Sequence, residues 1–416
     1  SFVSVFVSAS LVEAARKKYR FLIPWLSDGL LLSIGSKWKH RRRLITPSFH
    51  FNILEQFLPL INYHSNTLIK KLSECQKVVD ISPLITRCTL DVISETAMGI
   101  KINAQDKPDS EYVKAIHYMG ESLNIRIMNF FNWFDFIFYR REAGRKYKES
   151  LKIVHEFTRN IIRDRKNEMI QNKKTGESAV QEDETLGIKK RKAFLDYLLE
   201  ENLKDENKID ERGIEEEVDT FMFAGHDTTA VSIVWALYML GLHPEQQEKV
   251  HQELDQVFGS ETNREITNED VSKMKFLECC IKESMRLIPT VMFIGRHLIK
   301  DTKIGNYTIP KGTGLNISFY TLHRDPEQFP QPEKYIPERF LPENSTKRHP
   351  FAFVPFSGGP RNCIGQRYAW LEMKVIITNI LRNFRIKSVN QIDEIIYAAE
   401  MVTRPKVPIK INLTKK

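Results

Sequence analysis

Residues 356–365 read FSGGPRNCIG, which places one cysteine, Cys363, inside a glycine-rich loop. Arg361 precedes it by two residues, and residues 366–381 have the composition of a largely apolar helix. Glycines let the backbone come close, and the positive N-terminal end of a helix favours a sulfur anion. A thiolate held in this way is a metal ligand. The loop therefore predicts Cys363 as the axial ligand of a haem iron.

The loop also resembles a known family pattern. The pattern F-x-x-G-x-R-x-C-x-G is the haem-binding loop of the cytochrome P450 superfamily, and it is filled by Phe356, Gly359, Arg361, Cys363 and Gly365. The resemblance implies a mainly α fold with small β-sheets (α+β), in which residues 1–416 form one large helical domain around a buried haem. The alternative for the loop alone is a buried structural cysteine.

Residues 214–240 lack proline and are apolar on nearly every side after Val218, which predicts a long buried helix. Gly225, Asp227 and Thr228 interrupt its middle, although such residues are poor choices for a buried helix. Gly225 is expected to leave room for a flat or diatomic ligand. In the resemblance, Asp227 and Thr228 are the acid–alcohol pair that handles protons, whereas His226 is a packing or surface residue. The alternative is a break between two helices.

Two further motifs resemble the same family. Glu283 and Arg286 lie three residues apart on a predicted helix, and Arg339 lies in the stretch Pro-Glu-Arg-Phe at 337–340. An exposed i, i+3 pair contributes only about 0.2–0.5 kcal/mol and means little alone. The resemblance implies instead a buried triad that supports folding and haem retention without taking part in the chemistry.

The pattern W-x-x-x-R at Trp38 and Arg42 resembles the helix that contacts the haem propionates. By motif position, Arg296 and Arg361 are the other propionate partners, and Ala224, Gly225, Phe356 and Gly365 line the cofactor. The remaining basic residues are expected on the outer face, where they could dock an acidic electron donor: Lys37, Lys39, Arg41 and Arg43.

The composition argues against several classes of protein. The 62 basic and 53 acidic residues leave a net charge of +9, which fits an acidic partner or an anionic membrane surface better than nucleic-acid binding. The five cysteines include no C-x-x-C pair, so neither a zinc site nor a disulfide framework is expected. We expect the protein to lie in a reducing compartment.

The organisation of the chain suggests a longer protein. No apolar run reaches the roughly 18–20 residues of a membrane span, and the chain does not begin with Met. We expect an N-terminally truncated member that lacks the membrane anchor, the first helix and the leading strands. The full-length protein is expected at the cytoplasmic face of the endoplasmic reticulum membrane. Residues 171–192 predict an exposed loop, and residues 311–314 a hairpin turn.

Several stretches, among them residues 91–99, 217–223 and 322–326, resemble the insect-type members of family 4. Many of these carry a glutamate, able to bond covalently to haem, where this chain has Ala224. The haem, haem b, is therefore expected to bind non-covalently. By family position the substrate-facing residues are Phe221, Val291, Met292, Met401 and Val402.

The resemblance implies a haem-thiolate monooxygenase that inserts oxygen from O2 into a lipophilic substrate: a fatty acid, hydrocarbon, terpenoid hormone or xenobiotic. Electrons would come from NADPH through NADPH–cytochrome P450 reductase, with cytochrome b5 as an optional further donor. One alternative is a thiolate–haem isomerase or dehydratase, which needs no proton relay such as Asp227–Thr228. The other is an inactive haem- or lipid-binding fragment.

Overall fold

The computed structural model describes residues 12–14, 19–175, 182–183, 188–189, 193–259, 261 and 264–416. Its α-helices are α1 (Ile23–Leu26), α2 (Gly35–Ile45), α3 (Phe51–Leu54), α4 (Leu58–Glu74), α5 (Ser82–Thr96), α6 (Glu111–Met128), α7 (Asp135–Phe138), α8 (Glu142–Thr175), α9 (Phe194–Lys204), α10 (Glu211–Leu242), α11 (Pro244–Phe258), α12 (Asn268–Lys273), α13 (Lys275–Leu287), α14 (Phe319–Leu322), α15 (Pro342–Ser345) and α16 (Gln366–Asn383). Short 3-10 helices cover Arg20–Leu22, Thr46–Phe49, Glu55–Phe57, Ala104–Asp106, Phe130–Trp133, Pro337–Phe340 and Ile392–Glu394.

The strands are short. They are β1 (Val12–Ala14), β2 (Val78–Asp80), β3 (Glu182–Asp183), β4 (Ile188–Lys189), β5 (Phe293–Leu298), β6 (Thr302–Ile304), β7 (Tyr307–Ile309), β8 (Gly314–Ser318), β9 (Phe384–Ser388), β10 (Tyr397–Ala399), β11 (Thr403–Pro405) and β12 (Lys410–Lys415). The pairings among the described residues are all antiparallel, in the orders β1-β5-β8, β2-β12-β9, β3-β4, β6-β7 and β10-β11. The predicted class, mainly α with small β-sheets, is confirmed.

Contacts among the described residues group the chain into two compact units, so the single-domain assignment stays a prediction. The first unit holds residues 58–89 and 227–416 together with β1. Its core includes α16, which is buried over most of its length, and the small cluster of Leu298, Ile317, Phe319 and Val354. These elements carry the cysteine loop and the triad.

The second unit holds residues 19–57 and 90–226. The long helices α6 and α8 pack together in it, with the rings of Tyr112 and Phe157 stacked 4.2 Å apart. A second aromatic group joins Phe49, Phe194 and Phe221. The helix α10 contributes its residues up to 226 to this unit and the rest to the first.

Gly241 lies in the last turn of α10, which ends at Leu242. A Cβ on Gly241 would lie 2.4 Å from Ser388 Oγ, so only glycine allows β9 to pack this closely. The next helix begins at Pro244, where the missing N–H of proline costs nothing because the first turn has no partner for it. The predicted helix at 214–240 is therefore confirmed, with a few more residues at each end.

Two local predictions are wrong. The expected loop at 171–192 starts too early, because α8 continues to Thr175. Except for β3 and β4, the remainder of that segment lies outside the described residues. The turn at 311–314 contains Gly312 at φ +88°, but it is not a hairpin, since β7 pairs with β6 and β8 with β5.

Candidate functional site

The cysteine loop is a tight turn that presents an exposed thiol. Ser357 and Gly359 have φ values of +62° and +76°, a region that glycine enters freely and serine rarely. The N–H of Cys363 donates to Phe356 O at 2.9 Å, and the N–H of Asn362 donates to Gly359 O at 3.0 Å. The loop is closed by its own backbone, so Cys363 is held in place while its side chain stays exposed.

The surroundings of the sulfur suit a metal thiolate. The helix α16 has Gly365 as its N-cap, two residues after Cys363, and its 18 residues give it a positive N-terminal end beside the loop. A Cβ at Gly365 would lie 3.9 Å from Cys363 Sγ, an ordinary contact, so Gly365 lies beside the sulfur. An exposed thiol beside the N-terminal end of a helix fits a haem thiolate.

The predicted triad is brought together in the first unit, and two of its three side chains are fully buried. Glu283 accepts hydrogen bonds from Arg286 Nε at 2.7 Å and Nη2 at 2.9 Å, and from Arg339 Nε at 3.2 Å. The N–H of Ile336 donates to the same carboxylate at 2.8 Å. Both Glu283 and Arg286 are 0% exposed. This is a compensated buried ion set, whose members depend on one another.

A hydrogen-bonded chain links the triad to the cysteine loop through His323. Arg286 Nη1 donates to His323 O at 3.0 Å, and the N–H of Val354 donates to His323 Nε2 at 3.1 Å. The N–H of Ser357, in the loop, then donates to Val354 O at 2.9 Å. Burial, followed by the charges of Arg286 and Arg324, lowers the pKa of His323 to about 3, so its Nε2 is a neutral acceptor. Sequence reasoning missed this role, although His323 lies in a stretch noted for family resemblance.

The acid of the predicted acid–alcohol pair is buried and bonded to a cation. Asp227 is 1% exposed, and its Oδ1 accepts a hydrogen bond from Arg404 Nη2. Ser232 Oγ donates to Thr228 O at 2.8 Å and lies 2.6 Å from Thr290 Oγ1. The helix interior at this point is therefore polar, and the hydroxyl of Ser232 is satisfied within it. Sequence reasoning missed Arg404, for which no local motif exists.

The residues just before this pair belong to the second unit. A Cβ on Gly225 would lie 2.6 Å from Ile93 Cδ1, so the prediction that this glycine leaves room for a ligand is wrong on its Cβ side. Phe221 is buried, with its ring centroid 4.5 Å from that of Phe194. His226 is a buried packing residue whose Nδ1 lies 2.6 Å from Met222 O. Ala224 is half-buried.

On α2, Trp38 is buried and Arg42 half-buried. The predicted outer basic face is wrong for Arg41, which is buried with its Nε 3.9 Å from Glu217 Oε1. Lys37 is half-buried and bonded to Glu216 at 2.7 Å. The cause is the acidic start of α10, which draws both cations inward. Lys39 and Arg43 are exposed as predicted.

The other predicted site residues lie in the first unit, and their roles stay predictions. Arg296 is buried on β5, with Nη1 donating to Gly295 O at 3.0 Å. Val402 is buried in the turn between β10 and β11. The following are half-buried: Val291, Met292, Phe356, Arg361 and Met401.

Comparison with known proteins identifies the family. The cytochrome P450 family model matches residues 6–413. Cytochrome P450 4V2 of Mus musculus is 46% identical over 407 residues, covering 96% of this chain and 76% of the relative. Cytochrome P450 4c3 of Drosophila melanogaster is 42% identical over 402 residues, with 95% and 75% covered, and cytochrome P450 4c21 of Blattella germanica is 43% identical over 398 residues, with 94% and 78% covered.

The chain therefore belongs to the cytochrome P450 family, and these relatives are members of its family 4. Membership makes it a haem-thiolate monooxygenase, an oxidoreductase that uses O2, a substrate and a redox partner. Within the described part of the chain, no helix combines the length and the apolar composition needed to cross a membrane.

Proposed function

We propose that the enzyme hydroxylates a lipophilic substrate with one atom of O2, and that Cys363 is the thiolate ligand of a haem b. Two electrons come from NADPH through NADPH–cytochrome P450 reductase, and cytochrome b5 can serve as a further donor. The observation that carries the proposal is the exposed Cys363 thiol, held in a backbone-closed loop at the N-terminal end of α16. When bound, the haem supplies the activation of oxygen.

The protein's own residues hold the cofactor. The positive end of α16 keeps Cys363 in its anionic form. On motif grounds Trp38, Arg42, Arg296 and Arg361 donate to the two propionates, whose burial requires matched donors. The triad, through His323 and Val354, fixes the backbone of the loop that carries the sulfur. The haem is held non-covalently, because Ala224 has no carboxylate to form an ester.

Asp227 and Thr228 handle protons. Each turnover consumes R–H, O2, two electrons and two protons, and yields R–OH and one water. The Thr228 hydroxyl would hold and orient a proton, and the Asp227 carboxylate would pass protons from water to that hydroxyl. The burial of Asp227, 1% exposed, keeps this transfer apart from bulk solvent.

The substrate is a fatty acid, a hydrocarbon, a terpenoid hormone or a xenobiotic. The residues proposed to contact it are all apolar: Phe221, Val291, Met292, Met401 and Val402. Apolar side chains bind a long alkyl or terpenoid group by removing it from water.

The enzyme acts at the cytoplasmic face of the endoplasmic reticulum membrane. Support comes from a surface of the second unit that we call the 125–136 apolar surface. It consists of the exposed side chains of Ile125, Ile127, Met128, Phe130, Phe131, Trp133, Phe134 and Phe136. The exposed Arg20, Arg140 and Arg141 lie near it in sequence or space, with the Arg20 guanidinium 5.2 Å from the Trp133 ring. Aromatic groups rimmed by arginine suit the interface of an anionic bilayer.

The test follows oxygen from labelled O2 into the product. The purified enzyme, supplied with reductase, NADPH and a panel of lipophilic substrates under ¹⁸O2, is expected to give a product alcohol containing one ¹⁸O atom. A product whose oxygen comes from water or from a peroxide substrate, without consumption of NADPH, would support the isomerase or dehydratase reading instead. Cys363→Ala, expressed in parallel, is expected to form no product.

A further inference from the structure

The carboxylate of Asp227 is held from one side only. Its Oδ1 accepts a hydrogen bond from Arg404 Nη2, a contact between residues 177 positions apart. Its other oxygen, Oδ2, is buried and accepts no hydrogen bond from the described residues. A buried carboxylate oxygen ordinarily has a partner. One oxygen is therefore fixed by a cation, and the other stays available to a water molecule.

The hairpin that carries Arg404 is firmly attached to the buried core of the first unit. The N–H of Thr403 donates to Thr290 O at 2.8 Å, and Thr403 Oγ1 donates to Pro289 O at 2.6 Å. Trp235 Nε1, from α10, donates to Thr403 O at 2.8 Å. All the polar groups of Thr403 are thus bonded, so the backbone next to Arg404 has a fixed position relative to α10.

Charge on the hairpin supports the orientation of Arg404. Arg404 Nε lies 3.8 Å from Glu400 Oε2, and Glu400 Oε1 accepts from Lys406 Nζ at 2.7 Å. The charges alternate from Asp227 to Lys406, which offsets the cost of burying Asp227, Arg404 and Glu400. Arginine stays protonated in proteins, so Arg404 cannot itself pass a proton on. Its available role is to hold the carboxylate.

We propose that Arg404 is a positioning residue for the oxygenation reaction. It holds Asp227 Oδ1 so that Oδ2 faces the water that delivers protons to Thr228. This inference rests on the proposed role of Asp227 and Thr228. Without Arg404 the carboxylate is free to rotate away from the water, and the delivery of the two protons of each turnover is slower. Reduced oxygen is then released as hydrogen peroxide instead of entering R–OH.

The experiment compares two ways of driving the same reaction. NADPH-driven turnover needs two protons from the protein, whereas hydrogen peroxide already carries both electrons and both protons, so that R–H and H2O2 give R–OH and water. We expect Arg404→Met to lower the NADPH-driven rate roughly tenfold or more, with a larger share of electrons lost as hydrogen peroxide. The peroxide-driven rate is expected to change by less than about twofold. Arg404→Lys, which keeps a donor, should restore part of the NADPH-driven rate.

The control is Arg385→Met, the same substitution in an exposed pair with Glu248 at 2.5 Å; it should leave both rates unchanged. Equal losses in the NADPH and peroxide assays for Arg404→Met, or no loss in either, would overturn the proposal. Asp227→Asn distinguishes the proton role of Asp227 from the positioning role of Arg404. If Asp227→Asn shows no difference between the assays, the proton role of Asp227 fails. If Asp227→Asn shows a difference between the two assays and Arg404→Met does not, only the positioning role of Arg404 fails.

A second readout does not depend on activity. In urea unfolding of the purified enzyme, each single change strands the opposite charge. The double variant Asp227→Asn with Arg404→Met is therefore expected to unfold at a higher urea concentration than the two single losses added together predict. If the stability losses of the two single variants simply add in the double variant, the two side chains do not interact and the proposal is overturned. This outcome can be measured even if Arg404→Met does not retain haem.

Discussion

Replacing Glu283 by Gln removes the one negative charge of the triad while keeping its shape. In the unchanged protein Glu283 accepts hydrogen bonds from both Arg286 and Arg339. In Glu283→Gln the two arginines lie in the interior without a counter-charge. Stranding buried charges in this way costs about 3–5 kcal/mol, against about 0.3–0.5 kcal/mol for an exposed pair on a helix. For a chain of 416 residues the unfolding entropy is about 0.9 kcal/mol/K, so the Tm is expected to fall by about 3–6 °C.

The assay is thermal and urea unfolding of the purified enzyme, with haem content measured beside it, since the triad supports the loop that carries Cys363. The matched control is Glu269→Gln, which breaks an exposed pair with Lys273 at 2.6 Å on α12 and should leave the Tm within about 1 °C. A Glu283→Gln enzyme as stable and as rich in haem as Glu269→Gln would refute the view that the triad supports the cysteine loop.

Three further predictions concern Asp219, Ala224 and the 125–136 apolar surface. Burial raises the pKa of Asp219 from 3.8 to about 7. The contribution of Asp219 to stability is therefore full below pH 4 and is lost as the pH rises through 7. Asp219→Asn should remove up to about 4 kcal/mol of this pH dependence, and in urea titrations at pH 8 it should be more stable than the unchanged enzyme. An Asp219→Asn enzyme with the wild-type pH profile would contradict this. Ala224→Glu should leave part of the haem attached to the polypeptide after turnover, as seen by acid–organic extraction, whereas the unchanged enzyme releases all of it; retention by the latter would count against non-covalent binding. The double change Phe130→Ser with Phe136→Ser should weaken co-sedimentation with anionic phosphatidylserine vesicles at least roughly tenfold without altering the Tm; equal binding would exclude the 125–136 apolar surface as the membrane contact.

Local signals account for what the sequence predicted well. The glycines around Cys363 and the apolar segment after it specify a turn and a helix from neighbouring residues alone, and both are found where they were expected. The triad was predicted only through its resemblance to a family, because a Glu and an Arg three residues apart on a helix have no meaning without Arg339.

Contacts between distant residues account for what the sequence did not predict. Ile93 fills the space beside Gly225, and Arg404 binds Asp227, but no spacing or periodicity connects either pair. Arg41 points inward because the start of α10 carries buried acidic groups, whereas the sequence alone favours a solvated basic face. Which polar residue is buried depends on the packing partner, and a partner far along the chain leaves no local pattern.

The central claim is that Cys363 provides the thiolate of a haem-dependent oxygenase. The most direct test is the absorption spectrum of the reduced enzyme with carbon monoxide, measured for the unchanged chain and for Cys363→Ser. We expect the red-shifted Soret band of a thiolate-bound haem in the former and its complete loss in the latter. The same red-shifted band in Cys363→Ser, or its absence from a fully haem-loaded unchanged enzyme, would contradict the assignment.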